Sequence, residues 1–338
     1  MYQPALTGVV AAAVGYLVVK VVAPHMLRYL KSRGIVRPDA HKPGKPEVVH
    51  AGGVIIFIGV LSGLTAWLVL QGLSASFLKG LVVMSAAAVC FGVGLVDDLK
   101  VLGGLTKTAL TILGIVPIAL TALLDPHLIN WGRPALPVIG QLRITLIYWI
   151  LLPLAVAGPA NVVNMLDVLN GITPGTMLVA FSTLALISAF LGRETALILS
   201  LLLVGVLAAY YPYNAYPARV FNGDSGSLFL GALLGGLAVV EHLEFIALTL
   251  LLPHVVNGFM VLVSFRGFRE HRTVPERPVI VEPDGTLRAS RSPKAPLTLT
   301  RLALLIGGDG REEEVVKLYI LLELTVAALA LLSAFLML

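Results

Sequence analysis

The chain has 338 residues, of which 57% are apolar and only 13% charged, with a mean hydropathy of +0.92. A soluble domain carries roughly a quarter charged residues, so this composition excludes one and implies a polytopic membrane protein. The formal net charge of +5 would suggest nucleic acid only if the basic residues formed a patch on a soluble fold.

Windows of about 20 apolar residues predict ten spans in chain order: 5–24, 49–70, 79–96, 107–124, 143–159, 172–191, 196–212, 226–241, 245–265 and 315–337. The first is too long for a signal-peptide core and has its basic residues after it, so it reads as a retained span. Cys90, the single cysteine, falls in the third span; it excludes an internal disulfide or a cysteine zinc site and reads as core packing. Connecting segments then alternate between the two membrane faces. Loops 25–48, 97–107, 160–171, 213–225 and 266–314 carry 18 of the 24 Lys and Arg, whereas the opposite loops and span edges hold Lys79, Arg133, Arg143 and Arg193. By the positive-inside rule the first set is cytoplasmic and both termini lie on the other side. The basic charge is therefore topology, and no nucleic-acid partner is expected.

Two cytoplasmic loops are longer than a connection needs. The first, 25–48, runs through His41-Lys42-Pro43-Gly44-Lys45-Pro46 toward Gly52-Gly53 at the start of the second span. The last, 266–314, holds Arg266, Arg269, His271 and Arg272, followed by a stretch over 278–288 that reads as a β-hairpin closed at Asp284-Gly285. Leu297 to Ile306 is too short to cross, so it is expected in the interface or against the bundle. No internal repeat stands out, and the chain is read as one membrane domain over 1–338 with 266–314 as a loop insertion.

Every strongly polar motif falls on those five cytoplasmic loops. Asp97-Asp98-Leu-Lys100 ends the third span and Lys107 begins the fourth. Asn161-Val-Val-Asn164-Met-Leu-Asp167-Val-Leu-Asn170-Gly171 follows the fifth, and Phe221-Asn-Gly-Asp224-Ser-Gly opens the eighth. Carboxylates beside hydrocarbon are costly, so several at one face point to a site. Carboxylate and amide oxygens prefer a hard cation, and magnesium takes one or two carboxylates plus water and phosphate oxygens; Asp224 with Asn164 would suffice. Lys107, His271 and Arg272 supply the positive charge that a pyrophosphate needs beyond the metal. Taken singly, each has a plainer reading. Asp97-Asp98 can be an interfacial helix end, Asp224 an N-cap, the asparagines backbone caps, and the arginines topology. His25, His127 and His242 read as interfacial, and Glu323, in the middle of the last span, is assigned no role.

Four separated motifs recur here in order: Asp97-Asp98 with Lys107, the Asn-x-x-Asn-x-x-Asp-x-x-Asn-Gly run, Tyr216-Pro-Ala-Arg219-Val-Phe221-Asn-Gly-Asp224, and His271-Arg272-Thr-Val-Pro275. In this the chain resembles the polyprenyl-phosphate N-acetylhexosamine-1-phosphate transferases over most of its length. Within them it is similar to the branch acting on UDP-GlcNAc and dolichyl phosphate in archaea and eukaryotes. The phospho-MurNAc-pentapeptide transferases carry a histidine run where this chain has His271-Arg272 alone.

The resemblance implies an all-α polytopic membrane enzyme of about ten transmembrane helices, with cytoplasmic active-site loops and a small β-hairpin in the last of them. It implies magnesium, or manganese, on Asp224 with Asn164 near metal and pyrophosphate, and Lys107 on phosphate. Asp97 and Asp98 would be acids at the reacting centre, with Phe221 and Asn170 on uracil and Gly171 admitting the base. His271 and Arg272 would contact the sugar and its phosphate, and Asp39, Lys42 and Glu47 would close the nucleotide pocket. The implied partners are a UDP-amino-sugar, a polyprenyl phosphate and the bilayer, with a homodimer allowed. The membrane would be the cell membrane in an archaeon or the endoplasmic reticulum in a eukaryote. A secondary transporter, the alternative of a different class, places its acids near the midplane of a repeated architecture, which this chain lacks.

Overall fold

A computed structural model describes residues 2–130, 132, 134–142, 144–265 and 276–337. It is an all-α bundle, with nine helical stretches long and apolar enough to cross a membrane and a tenth, bent one, among the described residues. The predicted spans all recur, with altered ends. Helix α1 (Tyr2–Ser32) has 31 residues, about 46 Å at 1.5 Å per residue, and so outruns a hydrocarbon core of about 30 Å. Helices α2 (Gly53–Gln71) and α3 (Ala75–Leu99) follow.

The fourth span is assembled from α4 (Gly104–Thr111), a 3-10 turn (Ile112–Ile115) and α5 (Val116–Leu124). The tight turn sets Gly114 against Cys90 of α3 and Val156 of the next helix, where a methyl group would crowd both. Helices α6 (Thr145–Leu166), α7 (Ile172–Phe190), α8 (Glu194–Asn214) and α9 (Gly223–Glu241) come next.

The predicted ninth span, 245–265, is broken. α10 (Glu244–Leu250) and α11 (Leu252–Phe265) meet at a 70° bend. Pro253, in the first turn of α11, has no N–H with which to continue the ladder of α10 and suits the first turn of a new helix, where that N–H has no helical partner.

Lipid gives helices no hydrophobic reason to associate, so close approach rests on small residues. Gly231 and Gly235 of α9 lie on the backbone of α6 at Pro159 and Ala155. Gly94 of α3 lies on the Asp224 and Ser225 backbone, and Gly53 of α2 on that of Ser225 and Gly226. The N-terminus of α9 is thus wedged between the start of α2 and the last turns of α3. Every residue of α9 is buried except Asp224.

The extramembrane pieces hold more regular structure than expected. In the first loop β1 (Val36–Pro38) pairs antiparallel with β2 (Glu47–Val49). On the opposite face β3 (Ala135–Leu136) pairs with β4 (Gly140–Gln141). Beyond β2 the chain zips onto 220–222: Phe221 N donates to Val49 O at 2.8 Å, Gly52 N to Phe221 O at 2.9 Å and Gly53 N to Asn222 O at 2.8 Å. The expected hairpin is present as β5 (Val279–Val281) and β6 (Leu287–Ala289), closed through Asp284-Gly285. The short apolar segment forms α12 (Leu299–Gly307), ahead of the last span α13 (Glu312–Phe335). Val279, Leu287, Leu304, Val316 and Tyr319 pack with Leu166, Leu169 and Ile172, so α12 rests on the bundle and the hairpin is pinned over the α6–α7 turn.

Candidate active site

Five segments separated in sequence meet in one cavity of about 370 Å³, within the size range of small-molecule pockets. Its wall includes Asp97 of α3, Lys107 of α4, Asn164 of α6, and Asp224 of α9, together with Asn170 and Phe221. Asp224 is held from two sides: Lys107 Nζ donates to its Oδ2, and Asn164 Nδ2 donates to Oδ1 at 2.9 Å. The same Asn164 amide donates to Ser227 Oγ at 2.9 Å. Lys107 Nζ also lies 3.6 Å from Asp97 Oδ2, while Leu102 N donates to Asp97 Oδ1 at 2.6 Å.

The Asp97-Asp98 pair divides. Asp97 lines the cavity, whereas the Asp98 side chain is fully buried behind it. Asp98 accepts from Asp224 N at 2.7 Å, Ser225 N at 3.2 Å and Ser225 Oγ at 2.5 Å, and His50 Nε2 lies 3.0 Å from its Oδ1. A carboxylate has about four lone-pair sites, and all four are engaged. Asp98 therefore anchors the α9 N-terminus, where orphan amides and the helix dipole favour negative charge. A Cβ on Gly223 would overlap this carboxylate, and Gly223 has φ +69°.

Asn161 is structural as well: Nδ2 donates to Thr111 Oγ1 and Ala157 O, both at 2.8 Å, tying α4 to α6. Asn170 donates its Nδ2 to Asp39 Oδ2 at 3.0 Å. Gly171, at φ +85°, donates its N–H to Asn214 Oδ1 at 3.0 Å and sits behind the wall, where a Cβ would lie 3.3 Å from Ala215 Cα. Phe221 is on the wall. His271 and Arg272 lie outside the described residues. Glu47 is exposed on β2, whereas Asp39 and Lys42 are ion-paired with each other. Burial works to raise the Asp39 carboxyl, but donation from Lys42 and Asn170 outweighs it and holds Asp39 below the usual carboxylate range.

Four groups escaped the sequence reading. His50 and Glu312 carried no signal of their own, and Asn222 and Ser225 were given no role although both lie inside the motif around Asp224. Asn222 Nδ2 donates to Asp167 Oδ1 at 2.8 Å, and this gives Asp167 a place on the wall beside the α9 N-terminus. Burial pushes the Asp167 carboxyl up to about 7, so the folded protein keeps a proton that the unfolded chain loses near pH 4. The stabilisation from that proton is full in acid and is lost as pH rises through about 7. Asp167→Asn is therefore expected to melt higher than wild type at pH 8, with the advantage shrinking toward pH 5. Thermal unfolding at the two pH values checks this, and an equal gap at both would remove Asp167 from the titrating set.

Asp39, Asp97 and Asp224 share the cavity wall with a single lysine, Lys107, among the described residues, while Asp167 adds charge only as pH rises through about 7. Such a wall repels a phosphate unless cations accompany it. Among the described residues no three His, Cys, Asp or Glu converge as a closed metal cage. The donors available are oxygens of Asp224, Asn164 and Asp97, which fits a hard divalent ion that keeps water and phosphate in its shell and does not fit a zinc site.

The family model described as glycosyl transferase family 4 matches residues 80–242. The chain is 28% identical over 246 residues, covering 72% of itself and 74% of the relative, to a Saccharolobus solfataricus protein provisionally named UDP-N-acetylglucosamine–dolichyl-phosphate N-acetylglucosaminephosphotransferase. A Sulfolobus acidocaldarius protein with the same provisional name is 28% identical over 249 residues, 72% of this chain and 74% of that one. The phospho-N-acetylmuramoyl-pentapeptide-transferase of Desulforudis audaxviator is 32% identical over 282 residues, 75% of this chain and 82% of that one.

Proposed function

Because the chain belongs to glycosyl transferase family 4, the polyprenyl-phosphate sugar-1-phosphate transferases, we propose that it transfers GlcNAc-1-phosphate from UDP-GlcNAc to a dolichyl or related polyprenyl phosphate, releasing UMP. The observation that carries this reading is the meeting of Asp97, Lys107, Asn164 and Asp224 in one cavity at a single membrane face. The provisional names of the two archaeal relatives favour the GlcNAc donor and the dolichyl acceptor.

In this reading the lipid lies along the bundle with its phosphate at the cavity mouth, on the cytoplasmic side. A phosphate oxygen of the lipid forms a bond to the sugar-linked phosphorus of the donor. The bond from that phosphorus to the bridging oxygen breaks, and the oxygen leaves with UMP. Such transfer depends on positioning and charge neutralisation more than on proton movement. A phosphate monoester with a second pKa near 6 is already mostly ionised at neutral pH, so the reaction does not need a strong base. That agrees with an Asp98 whose lone pairs are all engaged. Lys107, between Asp97 and Asp224, is the cation placed to meet a donor phosphate oxygen. Asp224 and Asn164 would hold magnesium, or manganese, which when bound supplies neutralising charge to the phosphate oxygens.

A UDP-amino-sugar carrying a muramoyl peptide is the second reading, favoured by the 32% identity to the Desulforudis protein. A screen of UDP-GlcNAc, UDP-GalNAc and UDP-MurNAc-pentapeptide against polyprenyl phosphates, read by UMP release, separates them. UMP release from UDP-GlcNAc that requires both lipid phosphate and magnesium is expected. Release from the muramoyl donor alone would overturn the GlcNAc assignment, and release from none would overturn the transferase reading.

A further inference from the structure

The cavity wall formed by the first loop and the α6–α7 turn is held together by a closed ring of charged and amide groups. Glu312, in the first turn of α13 and 3% exposed, accepts the backbone N–H of Asn170 on Oε1 at 2.6 Å. Its other oxygen accepts from Lys42 Nζ at 3.3 Å. Lys42 also donates to Asp39, and Asp39 accepts from Asn170 Nδ2 at 3.0 Å. The ammonium of Lys42 sits 4.6 Å from the centre of the Tyr216 ring, a cation–π distance. The ring therefore joins four stretches: the first loop, the α6–α7 turn, the loop before α9 and the start of the last helix.

Two consequences follow from elementary chemistry. A carboxylate only accepts hydrogen bonds, so Asp39 fixes the Asn170 amide with Nδ2 toward it and leaves Oδ1 as an acceptor. Glu312 fixes the backbone from which that amide projects, and it shares the Lys42 ammonium with Asp39. Neither Glu312 nor Lys42 lines the cavity, whereas Asp39 and Asn170 do.

We infer that Glu312 is a positioning residue for the donor nucleotide, acting through Asn170 and through Lys42, so that the last helix of the bundle sets the geometry of a pocket it does not line. The inference rests on the transferase reading, in which Asn170 and Phe221 face the base of the donor. Because the contacts of the Glu312 carboxylate are with Lys42 and the Asn170 N–H and not with Asp97, Lys107, Asn164 or Asp224, its loss acts on donor binding and spares the chemical step.

The test uses the full chain in lipid nanodiscs, with UMP binding measured by calorimetry and steady-state turnover measured with UDP-GlcNAc and a polyprenyl phosphate. Glu312→Ala is expected to weaken UMP binding and raise the donor KM about tenfold, the value of one charge-assisted hydrogen bond. The kcat and the KM for the lipid should stay within about twofold. Glu312→Gln keeps an acceptor for the Asn170 N–H and is expected to recover most of the loss; the split between donor KM and kcat is what a merely structural role would not reproduce. If Glu312→Ala does not fold, Glu312→Asp, whose shorter side chain withdraws the acceptor from the Asn170 N–H while keeping the charge, carries the test: weaker UMP binding with kcat retained supports the inference. Unchanged UMP affinity in folded Glu312→Ala or Glu312→Asp, or a fall in kcat at unchanged donor KM, overturns it while leaving the transferase reading intact. A wild-type protein that neither binds UMP nor releases it overturns both.

Discussion

Asp224→Asn is expected to reduce UMP release by about a hundredfold or more at saturating donor, the scale on which metal sites lose activity when their ligand shell is damaged. The substitution is isosteric and removes one negative charge. Asp224 is the one residue of α9 that is not buried, and its side chain meets Lys107, Asn164 and the Asp97 carboxyl. Its backbone N–H, which donates to Asp98 at 2.7 Å, survives the change. The variant should therefore unfold at nearly the wild-type temperature while failing to respond to magnesium. Turnover followed across a magnesium titration, alongside thermal unfolding, measures both. Near-normal turnover with wild-type magnesium dependence would move the metal elsewhere.

Asp98→Ala is expected to act on the fold as well as on activity. It strips the partner from two backbone amides, the Ser225 hydroxyl and His50 at once. Each unsatisfied buried donor costs about 1–3 kcal/mol, so a loss of several kcal/mol is expected, with turnover falling because the N-terminus of α9 no longer fixes Asp224. The informative comparison is with Asp97→Asn. Asp97 lines the cavity and shares Lys107, so that variant should lose turnover with little change in unfolding temperature. The reverse pattern, with Asp98→Asn fully folded and inactive and Asp97→Asn nearly active, would make Asp98 the acid at the reacting centre.

The spans were legible because twenty apolar residues leave few other solutions, and the hairpin at 279–289 because Asp284-Gly285 fits only a tight reversal. The break at Leu251 was missed although Pro253 was in plain view: a hydropathy window averages over a proline, and the bend shows only when backbone hydrogen bonds are counted. For the site, residue type and order were enough to bring together Asp97, Lys107, Asn164 and Asp224. They could not tell Asp97 from Asp98. Neighbours on a helix point about 100° apart, so one faces the cavity and the other the α9 amides. His50 and Glu312 were invisible for a different reason. Their roles exist only through partners 48 and 142 positions away, and nothing local to either residue announces such a partner.

The encasement of α9 bears on how the membrane can influence this protein. Lipid thickness and tail packing act through helices that touch the hydrocarbon, which tilt or bend to match it. α9 is buried along its whole length apart from Asp224, so bilayer mismatch is absorbed by the outer helices before it reaches the carboxylate. Changing the host lipid then alters how an acceptor diffuses and docks. Asp224, carried by the enclosed helix, is thereby better shielded from the bilayer than Lys107 on α4, whose Leu105 is exposed.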